Sequence, residues 1–308
     1  MFGGVCPAYH SPHSPPTKHL RSQAFSPTYT PMKPDDTQRI TISAFYHFAP
    51  LDDTQSLRAP LREFMETHGI KGTIILAPEG VNGTVSGSDE AIAKLRERLR
   101  SIPGMEGLQD KVSYFHRQPF QRTKVKLKNW LIPFEEKVDP VNACGTYVEP
   151  KDWNDLISDP DVVTIDTRND YEVHIGKFKH AVNPGTDVFR EIIPFTKEQL
   201  DQASNKKVAM YCTGGIRCEK YSAYLRQQGF EEVYHLKGGI LQYLQDMPAE
   251  QSLWEGDCFV FDERVAVGHG VQPNEEIIMC LGCGHPLTAA DREHEAYEEG
   301  ECCAFCAK

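Results

Sequence analysis

The stretch Met210–Lys220, MYCTGGIRCEK, decides how this sequence is interpreted. An apolar strand ends at Tyr211, Cys212 opens a loop that contains two glycines, Arg217 closes the loop, and a helix is predicted to begin near Glu219. Glycines let the backbone turn its N–H groups inward around a sulfur or an oxyanion. The pattern therefore predicts a strand–loop–helix cradle built around one cysteine.

This cradle favours a reactive thiolate at Cys212. The N-terminus of the following helix and the charge of Arg217 both lower a thiol pKa, and the thiolate is the nucleophilic form. The alternative is a buried cysteine that packs as a small hydrophobe, but two glycines and an arginine within five residues count against it. Cys218 is either a resolving thiol for an oxidised Cys212 or a packing residue of the first helical turn. The catalytic candidates are Cys212, Arg217 and Cys218, and the substrate-binding candidates of the loop are Thr213, Gly214, Gly215 and Ile216.

The surrounding region, 146–250, alternates short β-branched runs with helical segments, which predicts an α/β domain with a parallel sheet. The predicted strands are Val162–Ile165, Val208–Tyr211 and Val233–Leu236. The predicted helices are Pro150–Ile157, Lys197–Ala203, Glu219–Gln228 and Ile240–Gln245.

Residues 37–138 predict a second, α+β domain. Strand and helix signals follow in the order β-α-β-β-α-β, which is typical of a ferredoxin-like or acylphosphatase-like sandwich. The predicted elements are Thr41–Phe48, Leu57–Thr67, Gly72–Ala77, Val81–Ser86, Glu90–Leu99 and Val112–Phe115. The motif EGVNG at 79–83 is interpreted foremost as a tight turn between two strands, with a contact to RNA as the alternative. Residues 1–36 are expected to be a disordered tail, since 1–34 hold seven prolines, no acidic residue and no hydrophobic period.

Charge is distributed unevenly along the chain. The net charge of −11 argues against a general nucleic-acid binder, yet residues 111–132 hold six Lys or Arg and no acid. Strand period places Lys124, Lys126 and Lys128 on one face of KVKLKNWL at 124–131. Two interpretations stay open: a solvated edge strand protected by lysines, or a phosphate-contact strip completed by Arg117 and Arg122.

The last 29 residues contain five of the ten cysteines. Cys280-x2-Cys283 and Cys303-x2-Cys306 are separated by nineteen residues, close to zinc-ribbon spacing. Region 257–308 is therefore expected to be a small Cys-rich, zinc-ribbon-like unit with a structural zinc ion, although Cys302 competes with its neighbour as third ligand. Paired cysteines of this kind and a reactive thiol indicate a reducing compartment, and we expect a cytoplasmic protein with no membrane partner.

Five segments carry a resemblance to a known family. They are APEGVNGTVSGS at 77–88, VVTIDTRNDYEVHIGKFKHAVNP at 162–184, YCTGGIRCEK at 211–220, HLKGGILQYL at 235–244 and CFVFDERVAV at 258–267. Over roughly residues 40–308 the chain resembles the rhodanese-containing tRNA uridine-34 hydroxylases. In one respect it departs from them: relatives often have Lys-Glu-Ile-Val where this chain has Lys128-Asn129-Trp130-Leu131.

The resemblance implies a function. It implies oxygen-dependent conversion of uridine 34 in the tRNA anticodon arm to 5-hydroxyuridine, with O2 as co-substrate and an unidentified electron donor. It places the family's persulfide-forming cysteine at Cys212, and the chemistry at that sulfur is either a persulfide or a covalent uracil adduct. Two rival readings remain: a rhodanese-type sulfurtransferase served by a sulfur donor protein, and a non-enzymatic zinc-ribbon and rhodanese interaction module. The oligomeric state is not predicted.

Overall fold

The computed structural model describes residues 39–202 and 204–307, so the tail predicted at 1–36 lies outside the described residues. The first domain has the expected β-α-β-β-α-β order followed by one further strand. Its elements are β1 Ile40–Phe48, α1 Thr54–Thr67, β2 Lys71–Ala77, β3 Gly80–Gly87, α2 Asp89–Arg100, β4 Gln109–Phe115 and β5 Thr123–Leu127.

These strands form one sheet in the order β4-β1-β3-β2-β5, and β5 pairs in parallel with β2 at the edge. Helices α1 and α2 cover one face, where Ile74, Val85 and Val125 are at most 4 % exposed in an apolar core. The register aligns Ala44 with both Thr84 and Lys111, so these residues share the other face of the sheet. This second face, which α1 and α2 leave uncovered, is called the open face below.

The second domain is a parallel α/β layer, as predicted. Its sheet has the order β6-β10-β9-β7, with every pair parallel. The elements are β6 Thr146–Val148, α3 Pro150–Ser158, β7 Val162–Asp166, α4 Asp170–Val173, β8 Gly176–Phe178, α5 Ile192–Gln199, β9 Lys207–Tyr211, α6 Ile216–Gln227, β10 Glu232–Leu236 and α7 Gly239–Asp246.

Two predicted helix positions are wrong. The helix expected at 197–203 runs from Ile192 to Gln199, because two isoleucines and Thr196 are buried while Leu200 is already extended. The helix expected to begin near Glu219 begins at Ile216, since Gly215 takes a φ of 103° and turns the chain directly into the helix.

The C-terminal region consists of short hairpins against the second domain. Strand β11 Trp254–Gly256 pairs with β8, β12 Cys258–Phe259 pairs with β13 Ala266–Val267, and β14 Ile278–Met279 pairs with β15 Pro286–Leu287. A single-turn helix, α8 Ala289–Arg292, follows. Within the part of the chain that the structure describes, no helix has both the length and the apolar character needed to cross a bilayer.

Candidate active site

Cys212 lies at the carboxyl end of β9, and the backbone surrounds its sulfur. The Gly215 N–H donates to the Cys212 Sγ at 3.1 Å. The Cys212 carbonyl accepts from the Ile240 N–H at 3.0 Å, and this hydrogen bond joins the loop to the start of α7. Gly239 is required there, because a Cβ at this position would lie 2.5 Å from the Cys212 carbonyl oxygen. The Gly-Gly motif before α7 therefore lets that helix close against the cysteine loop.

The surroundings favour the thiolate of Cys212. Burial by itself raises the pKa of this thiol, but the Cys218 thiol, the Arg217 charge and the N–H groups of Arg217 and Gly215 lower it, and the resulting pKa is about 5. Burial also raises the pKa of Cys218, so its thiol keeps the proton. Both cysteines are free, and the Cys218 Sγ lies 3.7 Å from the Thr167 Oγ1. At neutral pH the nucleophile is therefore Cys212.

Arg217 was predicted to close the loop, and this position is wrong. It stands in the first turn of α6, where its guanidinium forms a two-point ion pair with the buried Glu172, at 2.6 and 2.7 Å. The pair fixes the cation beside the thiolate and compensates a carboxylate that is fully excluded from water. Glu172 was missed by the sequence interpretation; its one signal, Asn169-x-x-Glu172, is typical of a helix cap, and that cap is present.

The open face of the first domain lies opposite the cysteine loop. A cavity of about 720 Å³ separates the two surfaces and is bordered by Cys212. Apart from the Cys212 thiolate, its charged lining residues are cationic, and none of the described residues that line it is Asp or Glu. These cations are Lys111, Lys126, Arg190 and Arg217.

Polar and aromatic side chains complete this cavity. Thr73, Asn82 and Thr84 contribute uncharged polar groups from the open face. Phe120 and Phe261 contribute aromatic rings, and Phe261 is 60 % exposed. The cavity thus combines a thiolate, cations, hydrogen-bonding groups and rings on which a base can stack.

The predicted binding residues separate into three groups. Thr213, Gly214, Ile216 and Lys126 line the cavity. Gly215 acts through its N–H on the sulfur instead. The remaining basic candidates are exposed outside the cavity lining: Arg117, Arg122, Lys124 and Lys128.

Most residues that line the cavity were not predicted as site residues, and three of them offer groups that a nucleotide can contact: Lys111, Asn82 and Phe261. Lys111 and Asn82 both face the cavity from the open face, and Phe261 comes from the C-terminal region. Asn82 lies within β3, opposite Tyr46, so the predicted strand Val81–Ser86 is confirmed there and the turn interpretation of 79–83 extends too far. Strand alternation through 80–87 was the signal that could have placed its side chain on one face.

A partly buried polar network joins the two domains behind the cysteine loop. The Tyr46 hydroxyl donates to Glu219 at 2.8 Å, and the Tyr147 hydroxyl donates to the same carboxylate at 2.8 Å. Burial raises the pKa of Glu219, although both hydrogen bonds oppose the rise. Nearby, Lys220 Nζ lies 2.7 Å from Glu79 of the first domain.

The C-terminal cysteines converge on one point. The Sγ atoms of Cys280, Cys283, Cys303 and Cys306 all lie within 4.8 Å of one another. The Cys280–Cys306 and Cys303–Cys306 sulfur pairs are 3.9 Å apart, and Cys283–Cys303 is 3.7 Å apart. A tetrahedral ion with metal–sulfur bonds of about 2.3 Å needs sulfurs about 3.8 Å apart. These four thiols could therefore hold a metal ion. Cys302 points elsewhere, with its Sγ 3.6 Å from the Ala296 carbonyl oxygen.

The second domain has the parallel sheet and cysteine loop of a rhodanese. Two family models match the chain: the UPF0176 acylphosphatase-like domain over residues 40–130 and the rhodanese-like domain over residues 149–246. The chain therefore has the two-domain architecture of the rhodanese-domain UPF0176 family, an acylphosphatase-like domain followed by a rhodanese-like domain.

Solved structures resemble the separate domains. A rhodanese-like domain from Anabaena sp. is 19 % identical, covers 36 % of this chain and 78 % of its own, with a TM-score of 0.30. A rhodanese-related protein from Thermoplasma volcanium is 19 % identical over 33 % of this chain and 95 % of its own, with a TM-score of 0.26. An acylphosphatase from Coxiella burnetii is 14 % identical over 31 % of this chain and 100 % of its own, with a TM-score of 0.23.

Proposed function

We propose that this protein hydroxylates uridine 34 of tRNA to 5-hydroxyuridine with O2. One observation carries the proposal: among the described residues, the cavity that borders the Cys212 thiolate is lined by four cations and by no Asp or Glu, and only Arg217 of the four is paired with a buried carboxylate, although the chain has a net charge of −11. Such local charge favours a polyanionic substrate. The exposed Arg117, Arg122, Lys124 and Lys128 extend the positive surface toward the phosphates of an anticodon arm.

The cavity also suits a base turned out of its stack. The Asn82 amide offers one donor and one acceptor, which match the O4 and N3–H edge of uracil. The Phe120 and Phe261 rings offer surfaces for the flanking bases. A sulfurtransferase that accepts only thiosulfate needs neither feature.

The reaction begins, in this proposal, with the Cys212 thiolate. The sulfur adds to C6 of uracil, the C5–C6 electron pair moves toward O4, and C5 becomes carbanion-like. Molecular oxygen then adds at C5, and a two-electron donor outside this chain, with protons from solvent, reduces the outer oxygen atom to water. Loss of the C5 proton then breaks the S–C6 bond, which leaves the C5 hydroxyl and returns the Cys212 thiolate. Retention of hydroxylation by Cys212→Ser would exclude this role for the sulfur.

A second function has one observation in its favour. A thiolate held by a backbone N–H, with the protonated thiol of Cys218 beside it, is also suited to carry a persulfide. Cys212 would then accept sulfur from a donor protein and pass it on. An intact Cys212 and Arg217 argue against the third possibility, an interaction module without catalysis.

The four C-terminal thiols are proposed to bind a structural zinc ion. Four thiolates close a tetrahedral coordination sphere, so we assign no catalytic step to this metal. We also propose a cytoplasmic location, where tRNA is present and thiols stay reduced.

Nucleoside mass spectrometry of tRNA tests the function. It compares cells that produce this protein with cells that lack it and with cells that produce Cys212→Ala, in a background free of other uridine 34 hydroxylation. The proposal expects 5-hydroxyuridine derivatives only with the unchanged protein. Unchanged 5-hydroxyuridine together with loss of a thiolated nucleoside would favour the sulfurtransferase.

A further inference from the structure

Lys111 is a cation of the first domain that reaches the cysteine of the second. It lies on β4, on the open face, and borders the same cavity as Cys212. Its stem extends to the rhodanese domain, because a Cβ added at Gly238 would lie 3.2 Å from the Lys111 Cε. The two domains therefore hold this side chain between them.

The Lys111 ammonium has no carboxylate partner. Within residues 39–202 and 204–307, its Nζ makes no hydrogen bond or ion pair, and it lies 5.4 Å from the centroid of the Tyr46 ring. The nearest acids are already engaged: Asp110 is paired with Arg96 at 2.7 Å, and Glu219 accepts from two tyrosines.

The thiolate is the anion left to balance this charge. Burial lowers the pKa of Lys111, and the charge of Cys212 is the largest of the effects that oppose the fall. Burying a cation without a fixed partner costs free energy, and an anion that binds beside it offsets this cost. The Lys111 ammonium is therefore placed to donate a hydrogen bond to negative charge that develops on a substrate during a reaction.

We infer that Lys111 is a catalytic residue that stabilises the uracil oxygen when Cys212 adds to the base. This inference rests on the proposed function. In the step, the sulfur–C6 bond forms, the C5–C6 π pair moves through C4 onto O4, and the Lys111 ammonium donates its hydrogen bond or proton to that oxygen. No electron acceptor is needed, and reversal returns uracil, thiolate and ammonium.

The step has its own readout, separate from hydroxylation. While the adduct exists, C5 accepts a proton from water, and elimination then removes either hydrogen. Uridine 34 labelled with tritium at C5 therefore releases its label to water when O2 is excluded. The assay uses the full-length protein and whole tRNA.

Lys111→Met is compared with Lys111→Arg and with Lys94→Met. Lys94 is a matched control, since it is an exposed lysine on α2, on the other side of the sheet, paired with Glu90 at 2.6 Å. Loss of one such donor costs about 100-fold in rate or more. We expect label release to fall by that factor in Lys111→Met. Release should stay within about tenfold of wild type in Lys111→Arg and should be unchanged in Lys94→Met.

Two further measurements exclude a structural explanation: tRNA affinity and the alkylation rate of Cys212 without tRNA. The inference requires any loss of tRNA affinity or of alkylation rate in Lys111→Met to be much smaller than the loss of label release. Release that persists in this variant, or that falls only in proportion to tRNA binding or alkylation, would overturn it. Wild-type protein that hydroxylates tRNA but never releases label would overturn the inference and leave the proposed function standing, whereas absence of both activities would overturn both.

Discussion

At Cys212 two opposing effects act on one sulfur. Burial favours the neutral thiol, whereas the Arg217 charge, the Cys218 thiol and the loop N–H groups favour the thiolate, and the outcome is a pKa of about 5. The position of the Arg217 charge depends in turn on Glu172, which holds the guanidinium in place. The reactivity of one residue is thus set by partners from α4 and α6.

Alkylation of Cys212 should follow this pKa. We expect its rate constant with iodoacetamide to be flat between pH 6 and 8 and to fall below pH 5, because protonation then removes the nucleophile. Mass spectrometry of the modified peptide gives the rate at each pH. A midpoint near 8.5, the ordinary value for cysteine, would contradict the thiolate assignment.

At the scale of elements, the C-terminal cysteine turn places two adjacent residues, Cys302 and Cys303, in different roles. Cys303 contributes its sulfur to the four-thiol cluster, whereas the sulfur of Cys302 points to the Ala296 carbonyl. We expect Cys303→Ser to lose bound zinc and Cys302→Ser to keep one ion per chain, as measured by elemental analysis of the purified proteins. Equal loss from both variants would contradict this choice of ligands.

The segment 258–267 carries Phe261 to the cavity. It is anchored to the first domain, since the Glu263 N–H donates to the Pro119 carbonyl at 3.1 Å and Arg264 donates to the Ser113 hydroxyl at 2.9 Å. Arg264 is itself fixed by Asp262 at 2.7 Å. The C-terminal region therefore contributes to the cavity wall as well as to the cysteine cluster.

If Phe261 stacks on a base, removing its ring should weaken tRNA binding. We expect Phe261→Ala to lose about 1–3 kcal/mol of binding free energy and Phe261→Trp to retain it. Tyr114→Ala is the control, because Tyr114 is an exposed aromatic residue outside the cavity lining. Filter-binding titration at fixed salt measures all three, and equal affinity of Phe261→Ala and wild type would remove the stacking role.

For the molecule as a whole, the site exists only when the domains are docked. The Lys220 ammonium joins them, since it lies 2.7 Å from Glu79 and donates to the Ile132 carbonyl at 3.0 Å. Glu79 also accepts from the Leu131 N–H at 2.6 Å. With this docking, Cys212 is only 1 % exposed.

Loss of this link should loosen the docking. We expect Lys220→Met to destabilise the protein by about 3 kcal/mol, since one partner of a largely buried pair is removed, and to increase the alkylation rate of Cys212. Glu79→Gln, which keeps a hydrogen-bonding side chain, should have a smaller effect. Thermal unfolding and peptide mass spectrometry test both expectations, and an unchanged alkylation rate in Lys220→Met would contradict the role of this link.

The sequence predicts the features that depend on local pattern. It does not predict the features that depend on how the two domains pack against each other. The hydrophobic periods of strands and helices predict both domain folds. The Cys212 loop is recognisable because its glycines and arginine lie close together in the chain. Lys111 looked like one more residue of a basic run, and nothing local distinguishes it from the exposed Lys124. Phe261 lies where the periodicity fades, and Glu172 resembles a helix cap, so their roles emerge only from contacts across more than 40 residues.

The central claim is that uridine 34 enters the cavity between the domains and meets Cys212. The most direct test is to incubate the protein with tRNA that carries 5-fluorouridine at position 34 and to map any covalent adduct by peptide mass spectrometry. The account predicts an adduct on Cys212 in wild-type protein and none in Cys212→Ser. An adduct on another residue, or none under conditions where ordinary tRNA is hydroxylated, would contradict it.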